Sequence, residues 1–188
     1  MKRPRVVLDA CVLCPPALRD FLLTVAALDG FIPIWSDVIL DEVERNVIEY
    51  NPTIDPTVFR THTLASMKRV FPDAAVAPAS ERDFDVAGVH EGDRHVALTA
   101  IASKANAILT INQKHFPKTS LRRHRIAILA LGDLVGSVID TDPLLVLLAL
   151  EQLSRRWRNP PHTVGEIIDL LSKHPTMKDP LGSFKHEP

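Results

Sequence analysis

Arg5-Val6-Val7-Leu8-Asp9-Ala10-Cys11-Val12-Leu13 is the stretch on which the fold turns. Val6, Val7 and Leu8 are apolar without alternation, the pattern of a short strand buried on both faces. The run stops at a carboxylate, and Pro15-Pro16 follows as a helix start. In open α/β sheets, sites form in the crevice beyond the carboxyl ends of the strands. An acid directly after a buried strand must be paired, hydrogen-bonded or bound to a cation. Asp9 is therefore the first candidate site residue.

Outward from this unit, strand-like and helix-like stretches alternate. Ala17 to Leu28 is apolar at helical spacing and stops at Asp29-Gly30. After the apolar run Phe31 to Trp35, Ser36 reads as the N-cap of a helix. Its stripe is Ile39, Leu40, Val43, Val47 and Tyr50, and Asn51-Pro52 ends it. Pro56 opens another helix to about Val70, with Val58, Leu64, Met67 and Val70 inward. Ala74 to Ala77 reads as a short strand, and an acidic loop runs from Pro78 to Gly92. Gly92-Asp93 opens a helix that turns Ala97, Leu98, Ile101 and Ala105 inward. Ala107 to Ile111 and Ile126 to Leu131 read as strands. The alternation predicts an α/β fold, a three-layer α/β/α arrangement with a small central parallel sheet.

Past Asp140 the pattern turns wholly helical. Asp142-Pro143 caps an apolar helix that becomes basic at Arg155, Arg156 and Arg158, and Thr163-Val164-Gly165-Glu166 is a capping box. Beyond about Pro175 apolar periodicity is lost. The expected organisation is an α/β domain at residues 1–139, C-terminal helices at 140–175 and a flexible tail at 176–188.

Composition narrows the class. Of 188 residues, 46% are hydrophobic and 24% charged, which suits one well-buried core. A net charge of -1 favours no class of polyanionic or cationic partner. The longest apolar run, Leu144 to Leu150, is far shorter than the ~18 residues of a membrane span, so no membrane partner is expected. Cys11 and Cys14 cannot build a disulfide framework, and a cytoplasmic protein is expected. Their C-x-x-C spacing is that of thioredoxin-like sites, but the proline follows the second cysteine and no Trp or Lys flanks them. Packed, reduced thiols are the simpler reading. An Asp-x-Asp phosphatase is set aside because Cys11 holds its second position.

Three acids then matter. Asp9 follows a strand, Asp93 opens a helix, and Glu42 lies in the first turns of its helix beside the apolar stripe. Taken singly, Asp93 reads as an N-cap and Glu42 as a solvated helix acid. Glu44 borders the same stripe on its other side, and the helical wheel does not choose between the two. Asn112 follows a strand as Asp9 does. Several carboxylates at one sheet edge raise one another's pKa unless a cation binds. Oxygen ligands select Mg²⁺ or Mn²⁺ over zinc.

Four blocks in order, Val6-Val7-Leu8-Asp9-Ala10-Cys11, Ile39-Leu40-Asp41-Glu42-Val43-Glu44-Arg45-Asn46, Gly92-Asp93-Arg94-His95 and Leu109-Thr110-Ile111-Asn112, resemble those of the PIN-domain ribonucleases. Within that family they are similar to the VapC-like toxins of toxin–antitoxin pairs, over about residues 5 to 135. The resemblance implies a PIN-like nuclease domain and assigns the helix acid to Glu42. It implies a Mg²⁺- or Mn²⁺-dependent endoribonuclease with Asp9, Glu42 and Asp93 as catalytic and metal-binding residues. Asn112 becomes a further metal ligand. Transfer RNA is the family-level substrate, a small antitoxin the partner, and a homodimer the assembly. Arg122, Arg123 and Arg125 are candidate RNA contacts, with solvated loop residues as the plain alternative.

Two departures are specific to this chain. The fourth block reads Asn112-Gln113-Lys114-His115, where many relatives carry an acid, so one metal or two stays open. Cys11 stands where many relatives place Ser or Asn. A PIN-like module that binds without cutting is the competing reading.

Overall fold

The computed structural model describes residues 3–182 and residue 184. Its centre is a four-stranded parallel sheet: β1 (Arg5–Leu8), β2 (Ile32–Ile34), β3 (Ala107–Leu109) and β4 (Ala127–Leu129), in the order β2-β1-β3-β4. Val6, Val7, Leu8, Ile108 and Leu109 are fully buried, so both faces of the sheet need helical cover. The result is a three-layer α/β/α fold of the PIN-like kind, as expected. β1 and β3 are the two central strands, with Leu8 opposite Leu109. Asp9 continues the pairing, its N–H donating to the Leu109 carbonyl at 3.1 Å. Residues that follow the two strands therefore leave the sheet at one edge.

The first cover helices are α1 (Ala10–Leu13), α2 (Pro16–Ala27) and α3 (Asp37–Tyr50). Ser36 caps α3 by accepting the Ile39 N–H at 3.3 Å. Ile39, Leu40, Val43 and Val47 are buried, whereas Tyr50, expected on the same stripe, is 85% exposed as the last residue of the helix.

The next helix departs from α periodicity. It runs as α4 (Pro56–Val58), a π-helical stretch Phe59–Leu64 and α5 (Ala65–Val70). Phe59 and Leu64 are buried five residues apart, the spacing of a π turn, and Met67 follows on the same face. Val58 and Val70, placed inward by a 3.6-residue period, are exposed for this reason. The strand expected at Ala74 to Ala77 is reduced to one bridge, Ala75 against Trp35.

α6 (Arg94–Ala102) packs on β1, β3 and α3. After β3 comes α7 (Lys118–Arg122), then β4, then α8 (Leu131–Thr141), whose first residue falls within the strand expected at Ile126 to Leu131. Leu131, Leu134, Val135 and Val138 are its buried face, spaced i, i+3, i+4 and i+7.

The last layer holds α9 (Pro143–Arg156) and α10 (Val164–Leu171). α9 packs against α2, α8 and α10, burying Val146, Ala149, Leu150 and Leu153 in the same apolar core as the sheet. The tail expected from residue 176 is corrected over its described part. A 3₁₀ turn Pro175–Met177 leads into α11 (Lys178–Gly182), with Met177 and Leu181 fully buried against α8. Two apolar residues four apart are too few to register as periodicity, yet they suffice to dock one turn. Gly132 permits this approach, because a Cβ there would overlap the Thr176 carbonyl oxygen. Residues 183 and 185–188 of the expected tail lie outside the described residues. No described helix is long and apolar enough to cross a membrane.

Candidate metal centre

A cavity of about 770 Å³ opens at the carboxyl edge of the sheet, and Asp9, Glu42, Asp93 and Asn112 all line it. Four residues from four distant parts of the chain thus line one cavity.

Asp9 is 2% exposed and stands at the N-cap of α1, but its side chain caps nothing. Thr110 Oγ1 donates to Asp9 Oδ2 at 2.6 Å, and the Cys11 thiol donates to the same oxygen at 3.1 Å. Oδ1 accepts no hydrogen bond from any described residue. Burial is the main cause that raises the Asp9 pKa above the ordinary 3.8. The Thr110 and Cys11 hydrogen bonds oppose the rise, while the Asp93 and Glu42 charges add to it. Asp9 therefore lies within electrostatic reach of both Asp93 and Glu42.

Cys11 fills the role its counterpart would fill with a hydroxyl or amide. Its sulfur lies 3.4 Å from Thr110 Oγ1 and accepts the Ile111 N–H at 3.3 Å. Burial and the neighbouring Asp9 push its thiol up to about 12. Such a thiol is not a redox nucleophile at neutral pH.

Glu42 and Glu44, indistinguishable on the helical wheel, part company here. Glu44 is nearly buried and forms a two-pronged ion pair with Arg60, at 2.9 Å to Nε and 2.6 Å to an amino nitrogen. Glu42 faces the cavity instead. His95 Nε2 lies 3.2 Å from Glu42 Oε2, yet it is buried and too poorly aligned to count as hydrogen-bonded.

Asp93 stands at the N-cap of α6, again without a side-chain capping bond. Its Oδ2 is 2.9 Å from His115 Nδ1 and 3.1 Å from His90 Nδ1. Asn112 is tied back by its own N–H, which donates to Thr110 Oγ1 at 2.9 Å.

The donor types suit a hard divalent cation: three carboxylates and an amide oxygen, one carboxylate buried with an uncommitted oxygen. Among the described residues, however, Asp9, Glu42 and Asp93 do not bring their oxygens within 4.8 Å of one another as a group. Arg19 joins the cavity wall from α2, 9% exposed, donating to the Leu13 carbonyl at 3.0 Å and lying 5.6 Å from the Phe59 ring centre. Its spacing with Leu22 and Ala26 on the inner face of α2 was the signal available for it. Thr110 carried a similar signal, one polar residue directly after a buried strand.

The basic run lies elsewhere. Arg122, Arg123 and Arg125 do not line this cavity, and Arg123 is engaged with Asp85 through both its carboxylate, at 3.0 Å, and its carbonyl.

A small parallel sheet with acids converging at its carboxyl edge defines a PIN-like domain. Comparison with known proteins narrows this further. The family model described as the VapC50 C-terminal domain matches residues 133–176, from within α8 to the 3₁₀ turn before α11. The chain is similar to the protein named "Putative ribonuclease VapC50" of Mycobacterium tuberculosis (strain ATCC 25618 / H37Rv), 29% identical over 84 residues. That match covers 45% of this chain and 50% of the relative, so the chain spans about half of that protein's length. No solved structure gave a significant match. Together these likenesses support a VapC-like PIN-domain family for the chain.

Proposed function

We propose that this protein is a divalent-metal-dependent endoribonuclease, the toxin of a toxin–antitoxin pair acting in the cytoplasm. The observation that carries the proposal is the convergence of Asp9, Glu42, Asp93 and Asn112 on one cavity. The naming of the relative as a ribonuclease supports the same reading.

In this reading Asp9, Glu42 and Asp93 hold Mg²⁺ or Mn²⁺, with Asn112 offering a further oxygen. The bound ion would neutralise charge on the scissile phosphate and acidify a water. Asp9 is the rigid member, because Thr110 and Cys11 fix its carboxylate. Glu42 or Asp93 takes the proton of the attacking water, and neither is committed to an arginine. No covalent nucleophile is needed. Arg19 offers a buried positive charge in the cavity wall for a neighbouring phosphate. Transfer RNA is the proposed substrate, an antitoxin segment the proposed inhibitor and a homodimer the proposed assembly. Arg122 and Arg125 remain available for phosphates outside the cavity.

The test is cleavage of an RNA panel, with the fragment ends sequenced. Cleavage is expected to require Mg²⁺ or Mn²⁺, to stop with EDTA and to vanish in Asp9→Asn. If wild type and Asp9→Asn bind RNA equally and neither cuts it, the chain is a binding module.

A further inference from the structure

The acidic centre makes no use of two histidines, His90 and His115, which join Asp93 to form a cluster of three residues. Their ligand atoms all lie within 4.8 Å of one another. Both imidazoles turn Nδ1 toward Asp93 Oδ2, at 3.1 and 2.9 Å. The rings stack with centres 4.5 Å apart and planes inclined by 21°. The backbone fixes this arrangement. His90 N–H donates to the His115 carbonyl at 2.9 Å, His115 N–H to the Asn112 carbonyl at 2.9 Å, and Asp93 N–H to the His90 carbonyl at 2.9 Å. The loop before α6 and the loop after β3 are thus laced together where their histidines meet.

We propose that these three residues form a second metal site, selective for a borderline transition ion of the Zn²⁺ class over Mg²⁺. Imidazole nitrogen is a good ligand for zinc and a poor one for magnesium. A tetrahedral zinc ion with ligands at about 2.0–2.1 Å has ligand–ligand edges of about 3.3 Å, close to the nitrogen–oxygen separations here. Two of the three edges are thus near the zinc spacing, the nitrogen–nitrogen edge is under 4.8 Å, and water would complete the shell. His90 is the more exposed of the two rings, so the site is open to solvent on its side. Asp93 belongs to both sets: one carboxylate oxygen faces the imidazoles, and the residue also lines the acidic cavity. The nitrogen-rich fourth block is therefore a change of metal preference. The site stands whether or not the chain cuts RNA.

The experiment titrates Zn²⁺ into metal-stripped full-length protein by calorimetry, with Mg²⁺ in excess, and examines the loaded protein by zinc X-ray absorption. One ion is expected to bind with two imidazole nitrogens in its shell. The pair His90→Ala/His115→Ala should weaken binding by about 10-fold or more. Asp9→Asn should leave it unchanged. If the double variant does not fold, His90→Gln, at a half-exposed position, carries the test with the same direction of change. The proposal is overturned if no zinc binds, if binding survives loss of the histidines, or if Asp9→Asn removes it. Sulfur in the zinc shell, from Cys11 and Cys14, would overturn it as well.

Discussion

Asp93 and Asp142 both stand at the N-cap of a helix, one at the sheet edge and one in the C-terminal layer. Asp142 accepts the Leu145 N–H at 3.3 Å and does an N-cap's work for α9. Asp93 makes no capping bond and turns its carboxylate to two histidines and the cavity. Glu166 and Asp9 repeat the contrast. The backbone N–H and hydroxyl of Thr163 hold Glu166 below the ordinary carboxylate range. Burial holds Asp9 above it. In one region acids are spent on local structure. In the other they are withheld from it, and that difference marks a site more sharply than acidity does.

The largest effect expected from this contrast separates two acids two residues apart. Glu42→Gln should reduce RNA cleavage by about 10³-fold or more, in line with losing a group that acts on the transition state. Glu44→Gln should leave cleavage within a few-fold, because Glu44 is occupied by Arg60. Initial rates on one RNA check both. Equal losses would erase the distinction between the two carboxylates.

Next comes the apolar layer. Leu150 is fully buried on α9, so Leu150→Ala should cost about 2–5 kcal/mol in urea unfolding. A cost near zero would mean that the C-terminal helices do not share the core of the sheet.

Cap removal is smaller. Asp142→Ala should cost about 1 kcal/mol and leave cleavage intact. Asp93→Ala should show the reverse pattern, little loss of stability and complete loss of cleavage. A capping-sized loss of stability at Asp93 would make it an ordinary N-cap.

The smallest effect is a pH dependence. Because its native pKa is raised, Asp9 weakens the fold once it ionises there, and its favourable contribution is lost as pH rises through that value. Below about pH 3.8 the carboxyl is protonated in both folded and unfolded states, and the penalty disappears. With EDTA present, Asp9→Asn should therefore melt higher than wild type at pH 7, by about 2–4 °C per kcal/mol, and the gap should close toward pH 4. A gap that widens on acidification would contradict the assigned shift.

Much of this was legible beforehand. The two central strands, the Ser36 cap and the capping box at Thr163 follow from short-range pattern. Asp9, Asp93 and Asn112 stand out by their places at strand and helix ends, and Glu42 was separated from Glu44 only by the family resemblance. What was not legible depended on non-local geometry. The π stretch at Phe59–Leu64 shifts the buried face by one residue, which a 3.6-residue period cannot show. Docking of Met177 and Leu181 depends on the close approach at Gly132. The partners of Asp93 come from two loops, and no spacing announces that His90 and His115 stack. α8 had a readable stripe, but its first residue, Leu131, was absorbed into the preceding strand.

The most direct test of the acidic centre is the shift in melting temperature on adding Mg²⁺, an ion with little affinity for the histidine pair, to wild type and to Asp9→Asn. A rise in wild type with none in Asp9→Asn is the predicted result. An equal rise in both proteins would contradict Asp9 as a metal ligand.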